Sequence, residues 1–181
     1  MNEELEVLKI VTLRLGKAGI PYMICGSVAA NYYSIPRMTR DIDIVIELQK
    51  KDVDEFFNLF RDDFYIDRQT VLREVSRQGM FNLIHNQYVV KVDFIIGKSS
   101  EYQKAGFARR RQVVIEQMPM WFASAEDLVI SKLLWAKSSR SEMQLKDVRN
   151  LIKTVEGLDL NYIDNWVRKL DLEDLYNKVI Q

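Results

Sequence analysis

Two acids two residues apart are the first residues in this chain whose types and spacing suggest chemistry. Asp41 and Asp43 stand in DIDIVIE, where polar and apolar residues alternate over 41–47. Alternation with period two is the mark of a strand with one packed face, so Ile42, Ile44 and Ile46 point into a core while Asp41, Asp43, Val45 and Glu47 point away. The two carboxylates then share one face about 6.6 Å apart, and at an effective dielectric of about 20 they repel by roughly 2 to 3 kcal/mol. A divalent cation between them removes that repulsion. A third carboxylate lies in YVVKVDFIIG, where Val90, Val92, Phe94 and Ile96 alternate with Lys91, Asp93 and Ile95. If this run pairs beside the first with matching parity, Asp93 joins Asp41 and Asp43 in a hard-oxygen cluster suited to magnesium.

Upstream, the short apolar run Tyr22 to Cys25 leads into Gly26-Ser27 and then VAANYY. The order is strand, tight turn, helix. Glycine lets backbone approach a ligand closely, Ser27 is placed to cap the helix and offer its hydroxyl, and free N–H groups at a helix start favour phosphate. The loop SIPRMTR before Asp41 adds Arg37, Thr39 and Arg40, which either touch a triphosphate or neutralise nearby carboxylates.

The elements that must position these groups follow from periodicity. Residues 3 to 18 carry Leu5, Leu8, Val11 or Thr12, and Leu15 at helical spacing, with glycines at the end. The helix from Ser27 stops before Pro36, which disfavours helix at Ile35. KKDVDEFFNLFRDD places Val53, Phe56, Phe57 and Phe60 on one helical face. Phe64 to Asp67 reads as a short strand, RQTVLREVSRQ as a helix, and MFNLIH with YVVKVDFII as a hairpin turning at Asn86-Gln87. SSEYQKAGFARR reads as a helix, followed by strands RRQVVIE and MWFA. From Ser124 onward the pattern is helical, with Ser124/Asp127 and Ser141/Gln144 spaced as capping boxes ahead of two helices, then helices over 161–170 and 172–180. In the first of these, Lys132 lies among apolar neighbours, either snorkelling or aimed at a phosphate; the Met and Trp residues here read as packing.

The expected fold class is therefore α/β (α+β): a small mixed β-sheet flanked by helices, with a core over 1–123 and a helical C-terminal segment over 124–181 packed on it, or both as one domain. Composition agrees with an ordinary globular chain of 181 residues, 48% hydrophobic and 29% charged. Lys plus Arg and Asp plus Glu each number 26, a balance unlike a general nucleic-acid coat protein. The tight basic run Arg109 to Arg111 is a local patch for nucleic acid or a solvated strand start. A single Cys25, read as a buried strand residue, excludes an internal disulfide, and together with the single His85 it excludes a Cys/His zinc site. His85 reads as a strand-end residue. No membrane span or secretory signal is evident, and a cytoplasmic location is expected.

Gly26-Ser27, Asp41-x-Asp43 after thirteen intervening residues, and the lone strand Asp93 resemble the nucleotidyltransferase superfamily typified by DNA polymerase beta and kanamycin nucleotidyltransferase. EDLVISKLLWAKSSRSEMQLKDVRNLI is similar to the helical segment of the abortive-infection type E toxin-like nucleotidyltransferases, which supplies a lysine and an acid, matched here by Lys132 and Asp147. The sequence departs at Asn150, where many relatives carry a second aspartate, and a large C-terminal domain like that of some toxins is not expected. The resemblance implies transfer of a nucleoside monophosphate from a nucleoside triphosphate to an acceptor hydroxyl, with release of pyrophosphate. It implies two magnesium ions about 3.5 to 4 Å apart on Asp41 and Asp43, with Asp93 holding the one that activates the acceptor oxygen. Gly26 and Ser27 would hold the β and γ phosphates, Lys132 would offset charge on the leaving pyrophosphate, and Asp147 would orient Lys132 or act as a base. The resemblance leaves RNA, protein or a small molecule of the aminoglycoside type open as the acceptor, and a cognate antitoxin as a partner. The reading of a different class is a non-catalytic nucleotide-binding or antitoxin-like protein.

Overall fold

The computed structural model describes residues 3–39, 41–97 and 99–180. Seven strands form one mixed sheet: β1 (Tyr22–Cys25), β2 (Asp41–Ile46), β3 (Phe64–Tyr65), β4 (Met80–His85), β5 (Lys91–Ile96), β6 (Arg111–Ile115) and β7 (Met118–Phe122), in the order β3-β4-β5-β2-β1-β7-β6. β2 runs parallel to β5 and β1 parallel to β7, and the remaining neighbours are antiparallel. The parallel β2/β5 pair needs a crossover, and the chain between them supplies α3 (Val53–Phe60) and α4 (Arg68–Arg77). The other helices are α1 (Glu3–Lys17), α2 (Gly26–Tyr33), α5 (Glu101–Ala108), α6 (Ala125–Ser139), α7 (Glu142–Thr154), α8 (Leu160–Lys169) and α9 (Glu173–Ile180).

The alternation in β2 is realised. Ile42, Ile44 and Ile46 are fully buried, Asp41 is exposed and Asp43 half-buried. Val92, Phe94 and Ile96 of β5 continue the apolar face, where Phe94 meets Phe56 of α3 and Phe81 of β4 at ring separations of 5.3 and 5.4 Å. Edge and stacked contacts of this kind add to the burial that fixes the sheet on α3. α1 buries Val7, Leu8, Val11 and Leu15 in the same core.

Several local expectations are corrected. Ser27 does not cap α2; Cys25 occupies the cap position without a side-chain bond. Cys25 itself is only partly buried. Ser124 caps α6 by accepting from the Asp127 amide, but Ser141 makes no such bond at α7; Gln144 instead accepts from Lys132 across the helix pair. The hairpin between β4 and β5 has a longer connection than a two-residue turn, with Val89 at φ 54°. The buried His85 organises it, its Nδ1 accepting from the amides of Gln87 and Tyr88. Trp135 and Met143 do not pack inside but are exposed, because their neighbours Ala136 and Leu145 take the inward positions. Among the described residues no helix is long and apolar enough to cross a membrane.

Candidate functional site

Register brings the acids together. In the parallel β2/β5 pair, Asp43 lies opposite Asp93 and Asp41 opposite Lys91. One row across the sheet thus reads Cys25, Asp43, Asp93, Asn82, through the β1/β2 and β4/β5 pairings. Neighbouring strands lie about 4.8 Å apart, so these side chains leave one face as close neighbours. Burial, then the charges of Asp93 and Asp41, push the Asp43 carboxyl up to about 6, with Lys132 and Lys91 countering part of the effect. Lys91 is the unforeseen member: its ammonium lies 2.8 Å from Asp93 and 3.7 Å from Asp41. The hydrogen bond to Asp93 raises its own pKa.

Gly26 has a specific reason to be glycine. Its φ is +63°, and a Cβ there would overlap the Asp43 carboxylate. The turn between β1 and α2 is thereby pressed against the acidic face, which brings the start of α2 beside Asp43.

A second cluster faces the first from the helices. Lys132 of α6 is 3% exposed and donates to Asp147 of α7 at 2.7 Å and to Gln144 at 3.2 Å. It is therefore a buried, paired lysine rather than a snorkelling one. The Arg37 guanidinium donates to both Asp147 oxygens at 3.2 Å and to the Ser27 hydroxyl. Its backbone is clamped by Asn31, which donates from its side-chain amide to the Arg37 carbonyl and accepts from the Arg37 amide. Burial works to raise Asp147, but the hydrogen bonds from Arg37 and Lys132 outweigh it and hold the carboxyl below its ordinary value. The result is a continuous link from Ser27 through Arg37 and Asp147 to Lys132, which also acts on Asp43.

Thr39 donates to the backbone carbonyl of Asp41 at 3.3 Å, at the base of β2. Arg40 lies outside the described residues. The Arg109 to Arg111 run is not a free basic patch. Arg109 sits 3.9 Å over the Tyr162 ring and within 3.7 Å of both Glu126 and Asp127, Arg110 stacks against Phe107 and Trp121, and Arg111 lies 3.8 Å from Glu126. The residues that sequence periodicity missed are Lys91, Asn31 and Gln144. Lys91 shares the parity of Asp93, which was a signal available in KVD; the other two carry none.

As they stand, no three carboxylate, His or Cys side chains among the described residues converge to hold a metal ion. The donor set nevertheless fits a hard cation. Three carboxylates share a face, one of them raised by burial and then by its neighbours' charge, and the cation in contact with two of them is a lysine on a flexible stem.

No family model and no curated protein matches the sequence. Solved structures do share its fold. The antibiotic-resistance factor ANT(2'')-Ia is 14% identical with a TM-score of 0.59, over 95% of each chain. An antigenic nucleotidyltransferase-like protein from Paracoccidioides brasiliensis is 18% identical with a TM-score of 0.54, over 94% of this chain and 90% of its own. A putative nucleotidyltransferase from Thermotoga maritima is 18% identical with a TM-score of 0.55, over 80% of this chain and 91% of its own. The chain thus has a nucleotidyltransferase-like fold.

Proposed function

We propose that this protein is a magnesium-dependent nucleotidyltransferase that moves a nucleoside monophosphate from a nucleoside triphosphate to an acceptor hydroxyl. The observation that carries this reading is the sharing of one face by Asp41, Asp43 and Asp93 with the Gly26 turn pressed against Asp43. Asp41, Asp43 and Asp93 would hold magnesium, which supplies Lewis-acid polarisation of the phosphate and lowers the cost of forming an alkoxide. The acceptor oxygen attacks the α-phosphorus, the bond to the bridging α–β oxygen breaks, and pyrophosphate leaves. The acceptor proton passes to Asp93, on the strand beside Asp43. The amides at the start of α2 and the Ser27 hydroxyl would face the β and γ phosphates, with Arg37 and Thr39 beside them. Lys132 offsets the charge that grows on pyrophosphate. Asp147, with its oxygens already engaged by Arg37 and Lys132 and its pKa lowered, positions these cations rather than acting as a base.

A small hydroxyl compound is the favoured acceptor. Two observations support it: the one tight basic run is engaged by internal partners, and chains of matching length with this fold include ANT(2'')-Ia, solved with adenylyl-2''-tobramycin, and a lincosamide adenylyltransferase solved with lincomycin. The Lys132–Asp147 pair supports the second reading, a toxin-like enzyme acting on RNA or protein, with a cognate antitoxin. Incubation with each α-labelled triphosphate, magnesium, an aminoglycoside and lincosamide panel, total RNA and the protein itself separates the readings by where label appears. Binding of triphosphate without any transfer or pyrophosphate release overturns the enzymatic reading in favour of a nucleotide-binding module.

A further inference from the structure

Among the described residues, Lys91 is the one cation within 4 Å of the Asp41, Asp43 and Asp93 carboxylates. It lies 2.8 Å from Asp93 and 3.7 Å from Asp41, and it contributes to the field at Asp43. Its position follows from register: β5 places Lys91 beside Asp41 and Asp93 beside Asp43, on the strand pair that carries the acids. The side chain keeps 37% of its surface exposed, unlike the enclosed Lys132 at 4%. A lysine stem so exposed has room to swing into solvent.

We propose that Lys91 is a resident counter-ion that holds the Asp41/Asp93 oxygens in the metal-free protein and must be displaced for a divalent cation to load. The inference rests on the nucleotidyltransferase reading of the acidic face. Three carboxylates with no positive charge among them repel one another, and Lys91 relieves that repulsion on the strand pair itself. A divalent ion seeks the same oxygens and is repelled by the ammonium, so the two compete. Loading is then an exchange of one cation for another. It releases Lys91 toward the open side of the site, where its charge is free to meet the substrate's phosphates once the ion is seated. The arrangement makes Lys91 a positioning residue that raises the metal concentration needed for loading and keeps the empty face from splaying.

Manganese binding to the protein, read by the loss of the free-ion paramagnetic resonance signal and checked with magnesium by calorimetry, tests this without turnover. Lys91→Met, with Lys91→Gln as a second neutral variant, should bind manganese on the order of tenfold more tightly than the wild type, and Lys91→Arg should bind it like the wild type. In chelator, the neutral variants should melt below the wild type, and saturating metal should restore more of their stability than it adds to the wild type's. Equal or weaker metal binding by both neutral variants overturns the counter-ion role. Binding to the neutral variants but not to the wild type supports it in its strongest form. The acidic face itself is tested by Asp43→Asn: wild-type binding that survives this change, or no binding by any variant, removes the metal-site reading and this inference with it.

Discussion

At Asp43 charge and burial are opposed. Its carboxyl is raised to about 6 by desolvation, then by Asp93 and Asp41. The folded chain therefore keeps a proton that the unfolded chain releases near pH 4, and in metal-free protein this contribution to stability is present at low pH and lost as pH rises toward and through 6. The loss amounts to about 2 to 3 kcal/mol. In chelator, Asp43→Asn should accordingly be more stable than the wild type at pH 7.5 by up to that amount and equal to it near pH 4. Parallel melts across this range check the prediction, and a variant less stable at pH 7.5 would mean that Asp43 is already neutralised by Lys91 and Lys132. Lys132 carries the opposite expectation. Because it is enclosed and bonded to Asp147 at 2.7 Å, Lys132→Met should lower stability by about 1 to 3 kcal/mol, less than for a wholly orphaned charge because Arg37 still pairs Asp147. Transfer should fall by on the order of 10²-fold. Urea unfolding and label incorporation on this one variant separate it from a surface lysine, which would change neither.

At the scale of elements, the turn from β1 into α2 and the parallel pairing of β2 with β5 together build the candidate site. Gly26 at φ +63° leaves room for the Asp43 carboxylate that no side chain can share. Gly26→Ala should therefore cost about 1 to 3 kcal/mol in stability and push Asp43 off the face, abolishing detectable transfer. Differential scanning calorimetry and labelled-nucleotide incorporation check the two effects. Retained activity would detach the turn from the reaction. The strand alternation that puts Asp41, Asp43 and Asp93 outward was legible in DIDIVIE and KVDFII, since parity is a local property of a strand. The capping of α2 and α7 was not, because Ser27 and Gln144 are drawn into bonds with Arg37 and Lys132 from other elements.

At the scale of the whole molecule, the helices from 124 onward are tied to the sheet by an ionic cluster separate from the site. Tyr162 of α8 donates to Asp127 at 2.8 Å, Tyr102 of α5 donates to the Asp127 carbonyl at 3.0 Å, and Arg109 stacks over Tyr162 beside Glu126. Arg109→Ala should thus destabilise the fold by about 2 to 4 kcal/mol, since it leaves buried carboxylates short of a cation, while leaving any affinity for RNA unchanged. Urea unfolding and a gel-shift titration check both halves. Loss of RNA binding in a variant of unaltered stability would instead move the acceptor reading toward RNA.

Local order in the sequence determined which residues of β2 and β5 turn away from the apolar face, that a glycine turn precedes a helix, and that the chain becomes helical after Ser124. It also placed Lys132 and Asp147 on consecutive helices. Only the tertiary structure decided that Lys91 stands against Asp41, that Asn31 clamps Arg37, and that Arg37 and Lys132 share Asp147. Periodicity reports the direction of a side chain within its own element. The partner it meets depends on how separate strands, loops and helices align, and that alignment is set by the packing of the whole core.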